Sequence, residues 1–157
     1  MPTYLILTGF VLGGVVRGII VGFLVLFTSL IFTDITVQNV PLTLFVVVMT
    51  AFLFSIAGFL NALFADNFDD INIVPTFILT PLIYLGGVFY SVELLSNTWQ
   101  IVSKANPLLY MVNAFRYGMI GVSDINVQFA LLMIIIFIIA FFLLAYYLLK
   151  KGYGIRS

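Results

Sequence analysis

From Val127 to Leu149 the chain carries no charged side chain, and that run limits the possible folds more than any other feature. A helix rises about 1.5 Å per residue and the hydrocarbon core of a bilayer is about 30 Å thick, so roughly 20 apolar residues span it. An apolar run of that length reads as a membrane span and not as a buried core helix. Three further apolar stretches precede it. The first runs from Tyr4 to Phe32 and is broken only by Arg17. The second runs from Leu42 to Ala65, opened by Pro41, and proline is tolerated at a helix start. The third runs from Ile71 to Tyr90 and contains Pro75 and Pro81. Strands of an outer-membrane barrel alternate every second residue, and these runs do not. The expected fold is an all-α polytopic membrane helix bundle of about four transmembrane helices, forming a single transmembrane domain over residues 1–157.

Composition removes several function classes. Of 157 residues 64% are hydrophobic and 8% charged, against roughly 25% charged in a soluble domain. Six basic and six acidic residues give a net charge of zero, which argues against nucleic acid as a partner, because phosphate binding needs a basic surplus. The chain has no cysteine and no histidine, so thiolate metal sites, disulfides, zinc, haem and histidine-based catalysis are not expected, and no cofactor is. No G-x-x-x-x-G-K-[ST] loop occurs, so ATP hydrolysis by that route is excluded. The spans hold no Asp or Glu, the residues that relay protons inside pumps. Active transport would therefore draw its energy from another subunit. The start, Met1-Pro2-Thr3, has neither a basic region nor a cleavage site, so a cleavable signal is not expected.

Most charge lies in the connections. The tail from Lys150 holds Lys150, Lys151 and Arg156 directly after the last span, and the positive-inside rule places it in the cytoplasm. Counting back through four spans puts the N-terminus there too. The turn Asp66–Asp70 is then inside, and Asp34 and the long connection Ser91–Asn126 are outside. Lys104 and Arg116 in that outer connection weaken the orientation without reversing it.

Two glycine rows share the first span: Gly9 and Gly13, then Gly14, Gly18 and Gly22. Residues four apart share a helix face, so each row offers a flat surface for close helix packing, or for substrate. Arg17 lies between them. An arginine within a span is costly and should face protein or water. Either it snorkels to cytoplasmic headgroups, the true span beginning later, or it acts beside the small-residue face; a buried pair with an acid in another span is disfavoured, because no other span contains one. The third span combines Pro75 and Pro81 with Gly86 and Gly87. Proline removes a helical hydrogen bond and kinks the helix. Such helices line transport pathways and also occur in ordinary bundles.

The outer connection has its own periodicity. Leu95, Trp99 and Val102 recur at helical spacing between Glu93 and Ala105, which predicts an amphipathic helix with Trp99 at the membrane interface. Asn106-Pro107 ends it and begins a second short helix. There Leu108, Met111, Val112 and Phe115 form one face, Asn113, Arg116 and Tyr117 the other, and Gly118 and Gly121 stop it. Each helix, at roughly a dozen residues or about 18 Å, is too short to span. They form an interfacial or re-entrant hairpin over about 93–118, or a lid that packs on the surface. The acidic turn with Asp66, Asp69 and Asp70 either contacts a soluble partner or is a hydrated turn at a helix N-terminus, where the dipole favours anions.

The stretch Pro75–Ser91, followed by Leu94-Leu95, Trp99, Asn106-Pro107-Leu108 and Asn113-Ala114-Phe115-Arg116-Tyr117-Gly118, together with Gly13-Gly14-Val15-Val16-Arg17-Gly18, resembles the C-terminal part of the permease subunit of bacterial type-2 ABC exporters. The resemblance extends over nearly the whole chain and is most specific from Pro75 to Gly121. It covers about four of that family's usual six spans. The first two spans, and the loop carrying the main coupling helix to the ATPase, have no counterpart, so an N-terminally truncated permease is expected.

The resemblance implies a multi-pass protein of the bacterial inner membrane that pairs with a second copy of itself. A separate cytoplasmic ATP-binding subunit would supply the energy to export a drug, a lipid or a polysaccharide. It also implies that the short outer helices cap the exit and that Asp66, Asp69 and Asp70 touch the ATPase. Arg17, Pro75, Pro81, Gly86, Gly87, Asn106, Pro107, Asn113 and Arg116 would be pathway-lining or structural residues, none of them catalytic. The alternative is a non-transporting membrane scaffold that oligomerises through its glycine faces. A membrane-embedded enzyme is disfavoured by the missing histidine, cysteine and intramembrane acids.

Overall fold

The computed structural model describes residues 3–33, 37–65 and 67–152. Asp34, Asp66 and Arg156 lie outside the described residues. The described chain is helical throughout, with α1 Thr3–Phe32, α2 Val40–Phe64, α3 Phe68–Ile73, a π-helical turn Val74–Leu79, α4 Thr80–Leu85, a 3₁₀ turn Val92–Leu94, α5 Asn97–Lys104, α6 Pro107–Ile120 and α7 Val127–Lys150. The fold is an all-α membrane helix bundle. Among the described residues three helices, α1, α2 and α7, are long and apolar enough to cross a membrane.

Local chemistry sets the helix starts. Asn39 accepts from Leu42 N at 3.1 Å, Asn106 from Leu108 N at 3.0 Å, and Asn126 from Gln128 N at 2.9 Å. Asn39 and Asn106 each satisfy one, and Asn126 two, of the amides that a helix leaves unpaired at its N-terminus. Pro41 and Pro107 sit in the first turns of α2 and α6, where no intrahelical donor is lost.

The third apolar stretch is helical only to Leu85, not to Tyr90. The chain turns at Gly86-Gly87, and Gly87 has φ +75°, a backbone conformation that L side chains rarely adopt. From Phe68 to Leu85 the helix is continuous but changes pitch. Thr80 donates both its backbone N–H and its hydroxyl to the Pro75 carbonyl, the hydroxyl at 3.3 Å. That i to i+5 step, beside Pro81, which has no N–H to give, makes the π turn. Eighteen residues reach roughly 27 Å, just short of the hydrocarbon thickness.

Two core clusters stack along the bundle. At the end that carries α6, Val46, Leu53, Leu109, Tyr110, Met111, Ala114, Ala130 and Ile134 join α2, α6 and α7. At the opposite end Leu7, Val11, Val15, Ile56, Phe59, Leu60, Ala145 and Leu149 join α1, α2 and α7. α1 meets α2 through one glycine row. A Cβ added at Gly14 would collide with the Ser55 hydroxyl, one at Gly18 would come within 3.1 Å of Ala51 Cβ, and one at Gly22 within 3.4 Å of Val47 Cγ1. Ser55 Oγ donates across the contact to the Val11 carbonyl at 2.9 Å. Lipid tails are as apolar as leucine, so such close backbone approach, not water exclusion, holds the pair together. A Cβ at Gly9 or Gly13 would meet nothing, and these two point away from the bundle.

The outer helices depart from the expected faces. α5 begins at Asn97, so Leu95 lies outside it and does not share its helical phase. Trp99 is 52% exposed and Val102 is exposed, whereas Ser103 is fully buried. α5 thus turns its apolar side to the surroundings, as suits a helix at a membrane interface. α6 runs through Gly118 and ends at Gly121, which has φ +75°. Gly118 is a contact and not a stop: a Cβ there would lie 3.2 Å from Thr43 Cα.

Candidate functional site

The residues singled out around the outer connection converge on one polar latch. Asn106, buried between α5 and α6, caps α6 through its Oδ1 and donates Nδ2 to the Leu82 carbonyl at 2.6 Å. Leu82 is at the end of α4, where helix carbonyls run out of intrahelical donors. A side-chain amide is suited to this double task because it carries both a donor and an acceptor. Pro107 follows in the first turn of α6. Gly86 is pressed against that helix, since a Cβ there would stand 3.0 Å from Leu108 Cβ.

Arg116, on the next part of α6, bridges two segments. One guanidinium nitrogen pairs with Asp124 Oδ2 at 3.3 Å, and the other donates to the Gly87 carbonyl. The two side chains are 22% and 13% exposed, so the pair is shielded from solvent but not sealed. A planar guanidinium can serve two acceptors at once in fixed geometry, which an ammonium does less well.

Asn113, expected on the polar face with Arg116 and Tyr117, is wholly buried. The loop after α6 folds back over it. Its Oδ1 accepts from Asp124 N at 2.8 Å and from Ser123 Oγ at 3.3 Å, and its Nδ2 donates to the Leu109 carbonyl at 2.9 Å. Buried amides persist where their hydrogen bonds are met, and this one fixes the loop that carries Asp124.

The broken helix is held at its other end by a residue that the sequence reading missed. Asn61 of α2 donates Nδ2 to the Ile71 carbonyl at 2.8 Å. Pro75 stands four residues after Ile71 and has no N–H to offer it. The signal was available, since Asn61 is a lone amide within an apolar span. Asp124 and Ser123 were also missed. The eight residues separating Arg116 from Asp124 include a turn that only the fold closes.

Two apolar clefts flank this assembly. One, of about 710 Å³, lies between α1, α2 and α6, with Gly18, Gly22, Val47 and Phe115 among its walls and Arg116 and Thr50 as its polar members. The other, of about 500 Å³, separates the broken helix from α2 and α7, with Ile78, Leu82, Phe137 and Asn61 among its walls. Phe54, Leu108 and Met111 line both and form the partition between them.

The remaining site residues lie elsewhere. Pro75 and Pro81 sit on the broken helix itself, at either side of the π turn. Arg17 is exposed on α1, away from the latch. Asp69 and Asp70 occupy the first turn of α3, where Asp70 accepts from Asn67 N at 3.0 Å and Asp69 is exposed. Among the described residues no cluster of metal-ligating side chains occurs.

Comparison with known proteins places the chain. Residues 1–120 match the ABC-2 type transporter family. The chain is 48% identical over all 157 residues to the inner membrane transport permease YadH of Escherichia coli (strain K12), and equally to its counterpart in Shigella flexneri. The aligned stretch is 61% of the length of those relatives. No solved structure matches the chain significantly. With three-quarters of its length inside the family model, the chain belongs to the ABC-2 type transporters.

Proposed function

We propose that the chain is the membrane-embedded part of the permease subunit of an ATP-driven exporter in the bacterial inner membrane. A separate cytoplasmic ATPase supplies the energy, a second permease copy completes the transporter, and both termini face the cytoplasm. The observation that carries this reading is how the broken helix is attached. It stands off α2 and α7 across an apolar cleft, and is tied to its neighbours by Asn61, Asn106 and Arg116. Directional bonds to main-chain carbonyls can exchange partners in a small movement, whereas an interlocked core cannot. A helix so mounted beside two apolar clefts suits a substrate with a large apolar surface, taken from the bilayer and released outside. The exposed Asp69 at the start of this helix is the point at which an ATPase on the cytoplasmic side would push or pull it.

The scaffold alternative used all five glycines as an oligomer contact. Gly14, Gly18 and Gly22 are already engaged with α2, which removes most of that surface. The reading is tested by reconstituting the permease in nanodiscs with candidate ATP-binding subunits from the same organism. Complex formation and substrate-stimulated ATP turnover are expected. A permease that binds no ATPase under those conditions would end this interpretation.

A further inference from the structure

Arg17 lies halfway along α1, and α1, α2 and α7 contain no acidic residue to balance its charge. α1 and α2 run antiparallel with Gly14 opposite Ser55, Gly18 opposite Ala51 and Gly22 opposite Val47. That register sets Arg17 level with Phe52, the midpoint of α2 Val40–Phe64. Twelve residues of helix, about 18 Å, separate this level from either end of α2. Nor does the span begin after Arg17, because Leu7, Val11 and Val15 are buried against Ile56, Phe59, Leu60 and Leu149. This burial argues against a span that begins only after Arg17. The side chain is exposed, and among the described residues the recorded ion pair is Arg116 with Asp124.

Arg17 continues the row of Gly9 and Gly13, three positions four residues apart on one stripe. Both glycines are open. The stripe is therefore a shallow groove that ends in a cation. Lipid tails fit the groove but leave the charge bare. A second copy of this chain does not answer the charge either, because its own spans contain no Asp or Glu and a two-fold contact there would set Arg17 against Arg17. What fits is a helix of different sequence with an anion at this depth. The relatives run beyond the aligned stretch, which is 61% of their length, and so carry further chain able to supply one.

We propose that the Gly9–Gly13–Arg17 stripe of α1 receives a transmembrane helix from outside residues 1–157, bearing an aspartate or glutamate that pairs with Arg17. The proposal stands apart from the transport reading and would hold for a scaffold as well. The test places a photo-crosslinking benzophenone residue at Gly13 in the full-length protein in bacterial membranes. The adducts are mapped by mass spectrometry. The expected adduct is a peptide from an acid-bearing membrane helix outside residues 1–157. Arg17→Gln is expected to lower its yield about fivefold while the chain still reaches the membrane, and Arg17→Lys to keep most of it. Arg17→Glu should be rescued by changing the acid of the captured helix to arginine. Adducts confined to lipid, or to residues 1–157 of this or a second copy, would overturn the proposal. So would failure of the charge exchange to rescue, or fast labelling of Arg17→Cys by a membrane-impermeant thiol reagent, which would show a water-filled path there.

Discussion

Asn61 on α2 donates its side-chain amide to the carbonyl of Ile71 at 2.8 Å, the carbonyl that Pro75 leaves without its usual helical donor. Proline within an apolar helix leaves such a group without its donor, and here a neighbouring helix meets the need. Replacing Asn61 by leucine should destabilise the protein by roughly 1 kcal/mol, the scale measured for side-chain hydrogen bonds in membrane bundles. In a Pro75→Ala background the N–H is restored and the same change should cost markedly less. A double-mutant cycle on thermal unfolding in detergent measures the difference, and additive effects would show that the two residues are not coupled.

The Arg116 latch should be sensitive to shape as well as charge. Arg116→Lys keeps the charge but cannot hold Asp124 and the Gly87 carbonyl with one planar group. Both partners are only partly buried, so the loss should be about 1 kcal/mol. Transport should fall further than stability, since the latch joins α6 to the end of the broken helix. Parallel melting curves and efflux assays on Arg116→Lys and Asp124→Asn check this. Equal losses in both measures would mark a purely structural role.

The two glycine rows predict opposite outcomes. Gly18→Leu adds a side chain where Ala51 already stands 3.1 Å from the Cβ position, and overpacking of this kind costs about 1–3 kcal/mol. Gly9→Ala meets open space within residues 1–157 and improves helix propensity, so the melting temperature of that stretch prepared by itself should hold or rise slightly. A fall of comparable size at Gly9 would contradict the assignment of rows.

Topology is open to direct labelling, because the chain has no cysteine to remove. Ser103 is unsuitable, being fully buried, but Thr98 on α5 and Gly152 after α7 are exposed. With cytoplasmic termini, an impermeant thiol reagent applied to whole cells should label Thr98→Cys and spare Gly152→Cys. Labelling of both from one side would remove the proposed orientation.

What could be read without coordinates was whatever depends on short stretches of chain. Hydropathy is local, so α1, α2 and α7 were evident from their apolar runs, and so was the disturbed third stretch from Pro75 and Pro81. Asparagine before proline marked the start of α6, because capping involves residues two or three apart. Gly86, Gly87, Asn106, Asn113 and Arg116 were grouped only as pathway-lining or structural residues, and their convergence was not anticipated. Which atoms meet was decided by the fold. Asn113 looked like part of a polar face until the loop with Ser123 and Asp124 closed over it. Gly118 looked like a helix stop until Thr43 was packed against it. The sequence showed two equivalent glycine rows, and the arrangement of α2 engaged one and left the other beside Arg17. The level of Arg17 against α2 was likewise beyond the sequence, because it is set by the register of one helix on another. A side chain's role in a membrane depends on which helix faces it, and that is a property of packing between segments distant along the chain.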